Sequence, residues 1–395
     1  MEKHRRNKHE LAGLVGRFGK GLLQQGELSP KQVKVLHSIT QCRTAAMGGH
    51  EEVCTDCGVV RYSYNSCRDR HCPKCQGAKQ AIWVDKLIKS TLPVKHYHII
   101  FTVPHELNPI YLWDRGLYCN ILFSAVRRTL HSFGYTHYGC ETGAVAVLHT
   151  WGQNLSLHPH IHCIVPAAGY SLSGEWRRMG KNQSYLYPVH QLSDAFKGKF
   201  MDSMKRELRK RGAACGFKAP MERAYARKKW VVYCEASLAG AEHVIRYLGQ
   251  YTHRIAISNQ RILSITPTHV TFIAKDYRDR AQKRPVTLEG VEFLRRFCLH
   301  VMPDGYVRIR RFGIYHHSTI RSMDLQFVPD EKPDIDGMID AKEQETATQR
   351  IQRLTGFDVK LCPHCKKGQM IVIRTLPRIR SPAGHLPAML FSALL

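Results

Sequence analysis

No stretch of the 395 residues approaches the roughly 18 uncharged apolar residues that a membrane span needs. The opening MEKHRRNKHELAG lacks the apolar run of a secretory signal. No membrane partner is therefore expected, and a cytoplasmic location is. A phosphate-cradling loop of the GxxxxGK type followed by Ser or Thr is also missing, since Gly19-Lys20 is followed by Gly21. That leaves helicase or nucleotide-hydrolysing activity unsupported, with no nucleoside triphosphate as partner. Internal repeats and long low-complexity tracts are absent, which argues against a repeat architecture. Acid is scarce as well: 32 Asp plus Glu face 59 Lys plus Arg, a formal charge of +27. Such an excess favours a polyanion, because cations that displace condensed counterions from a phosphate backbone gain affinity without reading sequence.

Cysteine, by contrast, is plentiful, with fourteen in the chain. Without an export signal their pairing points to metal, zinc first, rather than to disulfides. Cys54-x2-Cys57 and Cys72-x2-Cys75 enclose fourteen residues, close to the spacing of two knuckles sharing one tetrahedral four-thiolate zinc. Cys42, His50, Cys67 and His71 remain for a possible second zinc in an interleaved module, with buried reduced cysteines as the alternative. Both sites would be structural, because four protein ligands leave no position open for substrate. Arg61, Arg68, Arg70 and Lys74 lie among these ligands and suit a module that grips DNA. Cys362 and Cys365 form half a site whose other ligands the sequence does not name.

Residues 1–28 read as a basic N-terminal segment. Residues 29–92 read as a helix plus the zinc-binding module: Ser29-Pro30 offers an N-cap with proline at the first helical position, and Val33, Leu36 and Ile39 follow at helical spacing. Residues 93–328 alternate strand-like and helix-like stretches. Strands are expected at Tyr97–Val103, Ala144–Thr150, Ile161–Pro166, Trp230–Ala236, His253–Ile257, Arg261–Ile265 and Val270–Ala274. Helices are expected at Pro109–Phe133, Ser193–Arg211, Ala239–Tyr251 and Leu288–Leu299. This pattern predicts a sheet with helices packed against it, α/β or α+β. Residues 329–395 read as an acidic, apolar-poor linker followed by a tail carrying the Cys362-x2-Cys365 knuckle.

Residues 158–166 read His-Pro-His-Ile-His-Cys-Ile-Val-Pro. On a strand, side chains at i and i+2 share a face, so His160 and His162 offer two imidazoles to one cation while Ile161 and Cys163 turn away. The pair opens an apolar strand, where an imidazole needs a partner or a metal; satisfied structural histidines are the alternative. Two imidazoles leave positions open for a phosphate oxygen, as a catalytic ion requires. Tyr247 and Tyr251, four apart at the end of a helical stretch, are neighbours on one helix face. A phenol attacks phosphorus when a cation or base lowers its pKa. An aromatic pair in a core or on a surface is the alternative.

The stretch His149–Gly169 (HTWGQNLSLHPHIHCIVPAAG), taken with Arg246–Arg261 (RYLGQYTHRIAISNQR), resembles the two-tyrosine rolling-circle insertion-sequence transposases, the insertion-sequence-ninety-one family. These belong to the HUH endonucleases, named for histidine, hydrophobic, histidine. Cys42–Gln76 resembles that family's N-terminal zinc-binding region, and the likeness extends over most of residues 30–315. The resemblance implies an α+β fold: a Rep-like core with a central antiparallel sheet flanked by helices, preceded by a zinc-binding module. It assigns His160 and His162 as ligands of a catalytic Mg2+ or Mn2+, and Tyr247 and Tyr251 as nucleophiles that take the 5′ end of the cut strand and free a 3′-hydroxyl. For a third metal ligand Gln153, seven residues before His160, is favoured over His158 or Gln250, since an amide oxygen suits a hard cation.

The expected function is therefore transposition by a rolling-circle mechanism, acting on single-stranded or hairpin element ends and target DNA, with nucleoid association when bound. Basic stretches at Lys205–Arg211 and Arg308–Arg311 are candidates to follow the strand, with solvated faces as the alternative. A replication initiator or relaxase would use the same site on an origin. A non-catalytic zinc-containing DNA-binding regulator would need neither the histidines nor the tyrosines.

Overall fold

In the computed structural model the described residues are 9–26, 28–180, 185–236, 245, 256–276, 279, 282–316 and 345–379. Tyr247, Tyr251 and Gln250 lie outside them, as does most of the strand expected at His253–Ile257. Among the described residues no helix is long and apolar enough to cross a membrane.

The first helix, α1 (Leu11–Gln24), falls inside the segment read only as basic. Leu11, Leu14, Val15, Phe18 and Leu22 line its buried stripe, spaced at one helical face. Four glycines in the same stretch lower its helix propensity by up to ~1 kcal/mol each, so packing rather than propensity forms it. Helix α2 (Pro30–Gln41) starts as expected. The Ser29 hydroxyl accepts from Gln32 N at 3.3 Å, and Gln32 Oε1 accepts from Ser29 N at 2.7 Å, a reciprocal cap. Strands β1 (Gly49–Cys54) and β2 (Val60–Tyr64) then form a hairpin, and helix α3 (Gln76–Lys89) leads out of the cysteine-rich region.

Strand β3 (His96–Thr102) is followed by a short helix α4 (Asn108–Trp113) and a long one, α5 (Arg115–Tyr138). The single helix expected over Pro109–Phe133 breaks at Asp114, whose backbone is extended and whose carboxylate caps Leu117 N at 2.8 Å. Next come β4 (Cys140–Glu141), β5 (Gly143–Trp151), β6 (Leu157–Pro166), β7 (Ala168–Ser171) and β8 (Trp176–Arg178), then α6 (Val189–Lys210), α7 (Lys218–Ala226) and β9 (Val232–Ala236). Strands β10 (Ile262–Ile265), β11 (His269–Asp276) and β12 (Gln282–Glu289) form a meander that ends in helix α8 (Gly290–Leu299). Strand β13 (Ile309–Gly313), helix α9 (Ala347–Thr355) and strand β14 (Met370–Leu376) complete the described chain.

The central sheet has five strands in the order β13-β5-β6-β3-β9, every neighbour antiparallel. One face carries Tyr97, Ile99 and Phe101 of β3 and Ile161, Cys163 and Val165 of β6 into the main core, against apolar residues of α5 and α6. The architecture is thus α+β, an antiparallel sheet flanked by helices with the zinc-binding region at its N-terminal side, as expected of an HUH-like core. A second core joins α1 and α2 to the meander and α8: Leu14 and Phe18 cluster with Phe272, Phe293 and Phe297. Gly290 is required there, because a Cβ on it would lie 2.4 Å from the Phe18 ring.

Candidate metal centre and zinc-binding region

Strands β5 and β6 are joined by a tight turn in which Gly152 N donates to Ser156 O at 2.9 Å and Leu155 adopts φ 64°. The pairing that follows sets His149 directly opposite His160 and Val147 opposite His162. Opposed residues of an antiparallel pair share a face. His149, His160 and His162 therefore stand together, and one ring nitrogen of each lies within 4.8 Å of the others. The ring centroids are 5.3 Å apart for His149–His160, 4.4 Å for His149–His162 and 4.9 Å for His160–His162.

The second nitrogens of two of these rings are spoken for. His160 Nδ1 donates to His158 O at 2.6 Å, and His162 Nδ1 lies 2.8 Å from His98 Nε2 on the neighbouring strand β3. Both rings are thus left with Nε2 for a ligand, the usual way a metal-binding imidazole is oriented. Burial, and then the charge of nearby His158, pushes His160 down to about 3. Burial, and then His149 and His160, pushes His162 well below the usual imidazole range, and burial does the same to His149. All three are therefore neutral at physiological pH and carry lone pairs. Three nitrogens on one side of a site suit a borderline divalent ion and leave further positions open.

His149 is the residue that motif reading missed. It lies eleven positions before His160, and only the hairpin register brings it there. Gln153, the expected third ligand, sits in the turn, where its backbone carbonyl accepts from Arg261. His158 is exposed.

The expected grouping of cysteines does not form. Cys54 and Cys57 are not joined to Cys72 and Cys75, and His50 and His71 belong to neither sulfur cluster. Instead Cys42, Cys67, Cys72 and Cys75 converge, with Sγ···Sγ of 3.3 Å for Cys42–Cys75 and 3.5 Å for Cys67–Cys75. Cys54 and Cys57 converge with Cys362 and Cys365. The reason is topological: Cys42 closes α2 beside the Cys67–Cys75 loop, while Cys54 ends β1, whose other edge is taken by β14 from the tail. His71 is buried and donates Nδ1–H to Asp69 Oδ1 at 3.0 Å, and His50 sits within β1. These separations fall a few tenths of an ångström inside the roughly 3.8 Å edges of a tetrahedron of ~2.3 Å zinc–sulfur bonds, so a small outward shift of the sulfurs would admit the ion. Hydrogen bonds from Cys67 and Cys72 hold the Cys42 thiol down to about 7, favouring thiolate.

Several basic side chains expected to face DNA are engaged within the chain. Arg61 Nε donates to Glu52 at 3.0 Å, Arg70 to Tyr306 O at 2.6 Å, and Lys74 pairs with Glu10 at 2.6 Å. Arg308 is buried, and Arg310 lies 4.2 Å over the Phe123 ring and donates to Tyr306 Oη at 3.3 Å.

Two family models match the chain: one described as "Putative transposase" over residues 143–322, and one described as a transposase zinc-binding domain over residues 14–103. The y4qJ protein of Sinorhizobium fredii, which carries the first description too, is 37% identical, with 94% of this chain and 97% of that protein covered. The chain belongs to the insertion-sequence-ninety-one (IS91) family of transposases. The transposase for insertion sequence element IS801 of Pseudomonas savastanoi pv. phaseolicola is 24% identical over 74% of this chain and 72% of its own length. No solved structure matches. As a transposase of this family the chain is an enzyme acting on DNA, consistent with its charge of +27.

Proposed function

We propose that this IS91-family transposase cuts and rejoins single-stranded element ends by transesterification, with Tyr247 and Tyr251 as nucleophiles beside a divalent ion held by His149, His160 and His162. The observation that carries this reading is the three-imidazole cluster on one sheet face. A second supports it: Ile245, two residues before Tyr247, is fully buried and clusters with Val145 and Ile164, which share the histidine-bearing face of β5 and β6.

The bound ion supplies Lewis-acid polarisation of the scissile phosphate. One phenol oxygen forms the bond to phosphorus in line with the breaking P–O3′ bond. The phenol's proton leaves to solvent or base, and the departing O3′ takes one up to become the 3′-hydroxyl that primes replication. The phosphotyrosine ester conserves the bond, so the second tyrosine can accept another strand end, as a rolling-circle cycle requires. His98 holds the His162 ring through its Nδ1, which would leave Nε2 to hold the ion. An all-nitrogen donor set favours Mn2+ over Mg2+, whose preference is for oxygen. A groove of about 780 Å3 beside β13, lined in part by Arg127 and Arg311, offers a path for the strand backbone.

The test is cleavage of a single-stranded terminal oligonucleotide with and without Mn2+ by wild type, Tyr247→Phe, Tyr251→Phe and the double variant. Wild type nicks only with metal and forms a covalent protein–DNA adduct, and the double variant forms none. Undiminished nicking by the double variant would refute the nucleophile assignment.

A further inference from the structure

We propose that Cys54, Cys57, Cys362 and Cys365 form a second structural zinc site, a clasp that fastens the C-terminal tail to the N-terminal module and completes it. The zinc-binding region that matches the family ends at residue 103 and the transposase match at residue 322, so half of this site comes from beyond both. Cys54 and Cys365 are 311 positions apart in sequence.

The sulfur geometry fits the ion. Cys54 Sγ lies 3.6 Å from Cys365 Sγ, and Cys57 Sγ lies 3.8 Å from Cys362 Sγ. A tetrahedral four-thiolate zinc has edges of roughly 3.8 Å, and a disulfide would need about 2.05 Å. The two halves are built alike. Each is a Cys-x2-Cys turn closed by a residue with positive φ, Gly58 at 67° after Cys57 and Lys366 at 59° after Cys365. In each, backbone N–H groups point at sulfur: Asp56 N and Cys57 N at 3.4 Å from Cys54 Sγ, and Gly368 N at 3.3 Å from Cys365 Sγ. Such N–H···S bonds stabilise thiolate ligands.

The halves are also held in register independently of the sulfurs. Strand β14 pairs with β1 from Cys54↔Met370 to Gly49↔Leu376, making the sheet β14-β1-β2. Thr55 N donates to Gln369 O and Gln369 N to Thr55 Oγ1, both at 3.0 Å. Gly368 must be glycine, because a Cβ there would stand 2.5 Å from both Cys54 Sγ and Asp56 Cβ. Cys54 and Cys362 are buried with Met370 in a small cluster that has little apolar mass of its own. A metal would therefore supply cohesion that so few apolar contacts do not.

The test uses the full chain. Zinc counted by plasma mass spectrometry should be two ions per chain in wild type and one in either Cys362→Ser/Cys365→Ser or Cys54→Ser/Cys57→Ser. Because a variant could fail to fold, wild type is also alkylated with and without chelator. Cys54, Cys57, Cys362 and Cys365 should be protected together with zinc present and become reactive together after its removal. Gly368→Ala, which keeps every thiol, should release one of the two ions faster. One zinc per wild-type chain would overturn the proposal, as would Cys362 and Cys365 reacting equally fast before and after chelation.

Discussion

His98 Nε2 lies 2.8 Å from His162 Nδ1, and the two imidazoles stack with centroids 5.1 Å apart. They reach each other diagonally across the β3–β6 pair, where His98 opposes Ile164 and Ile100 opposes His162. If His162 binds metal through Nε2, its Nδ1 keeps the proton and donates, and His98 accepts. His98 is then a positioning residue. His98→Ala should weaken Mn2+ binding by roughly 10- to 100-fold while leaving the melting temperature close to wild type, and His98→Gln should restore most of the affinity through an amide oxygen. Titration calorimetry with Mn2+ reads both. Equal affinity in wild type and His98→Ala would remove this role.

The third ligand separates cleanly by substitution. His149→Ala deletes one of three converging nitrogens, so Mn2+ affinity should fall further than the ~100-fold that loss of an orienting partner costs. Gln153→Ala should change it little. A larger loss in Gln153→Ala than in His149→Ala would restore the amide as ligand.

Two structural histidines set an acid limit on stability. Burial pushes His96 down to about 4 and His300 down to about 3. Each is bonded as the neutral ring: His96 Nδ1 donates to Val94 O at 2.7 Å while Tyr315 Oη donates to Nε2 at 2.8 Å, and His300 Nε2 donates to Leu155 O at 3.2 Å. In the unfolded chain both titrate near ~6.5. Between roughly 6.5 and 3 the unfolded state therefore binds more protons, and the stability present above that window is lost as pH falls through it. Urea midpoints should drop from pH 7.5 to pH 5. A midpoint that stayed level or rose would contradict the neutral assignment.

How much of this was legible depended on the distance between partners in sequence. The His160/His162 pair is readable because strand alternation is local, and α2 because Ser29-Pro30 and the spacing of Val33, Leu36 and Ile39 are local too. His149 required a register across the Gly152–Ser156 turn, which a motif does not carry. Spacing groups the cysteines by nearness in sequence, whereas strand pairing between β1 and β14 groups them by space. Helix α1 was hidden by Gly13, Gly16, Gly19 and Gly21, although its apolar stripe is regular; its packing on Phe293 and Phe297 outweighs the propensity. Strand β13 was obscured by its arginines, since an edge strand tolerates charge that an interior one does not.

The identity of the attacking atom separates strand transfer through a covalent link from plain hydrolysis. Wild-type protein is incubated with Mn2+ and a single-stranded terminal oligonucleotide, digested, and the nucleotide-bearing peptide is sequenced by mass spectrometry. The expected result is a 5′-phosphotyrosine bond on Tyr247 or Tyr251, lost in His149→Ala and His160→Ala variants that still bind the oligonucleotide. Cleavage without any protein-linked product, or a link to a residue outside this pair, would contradict it.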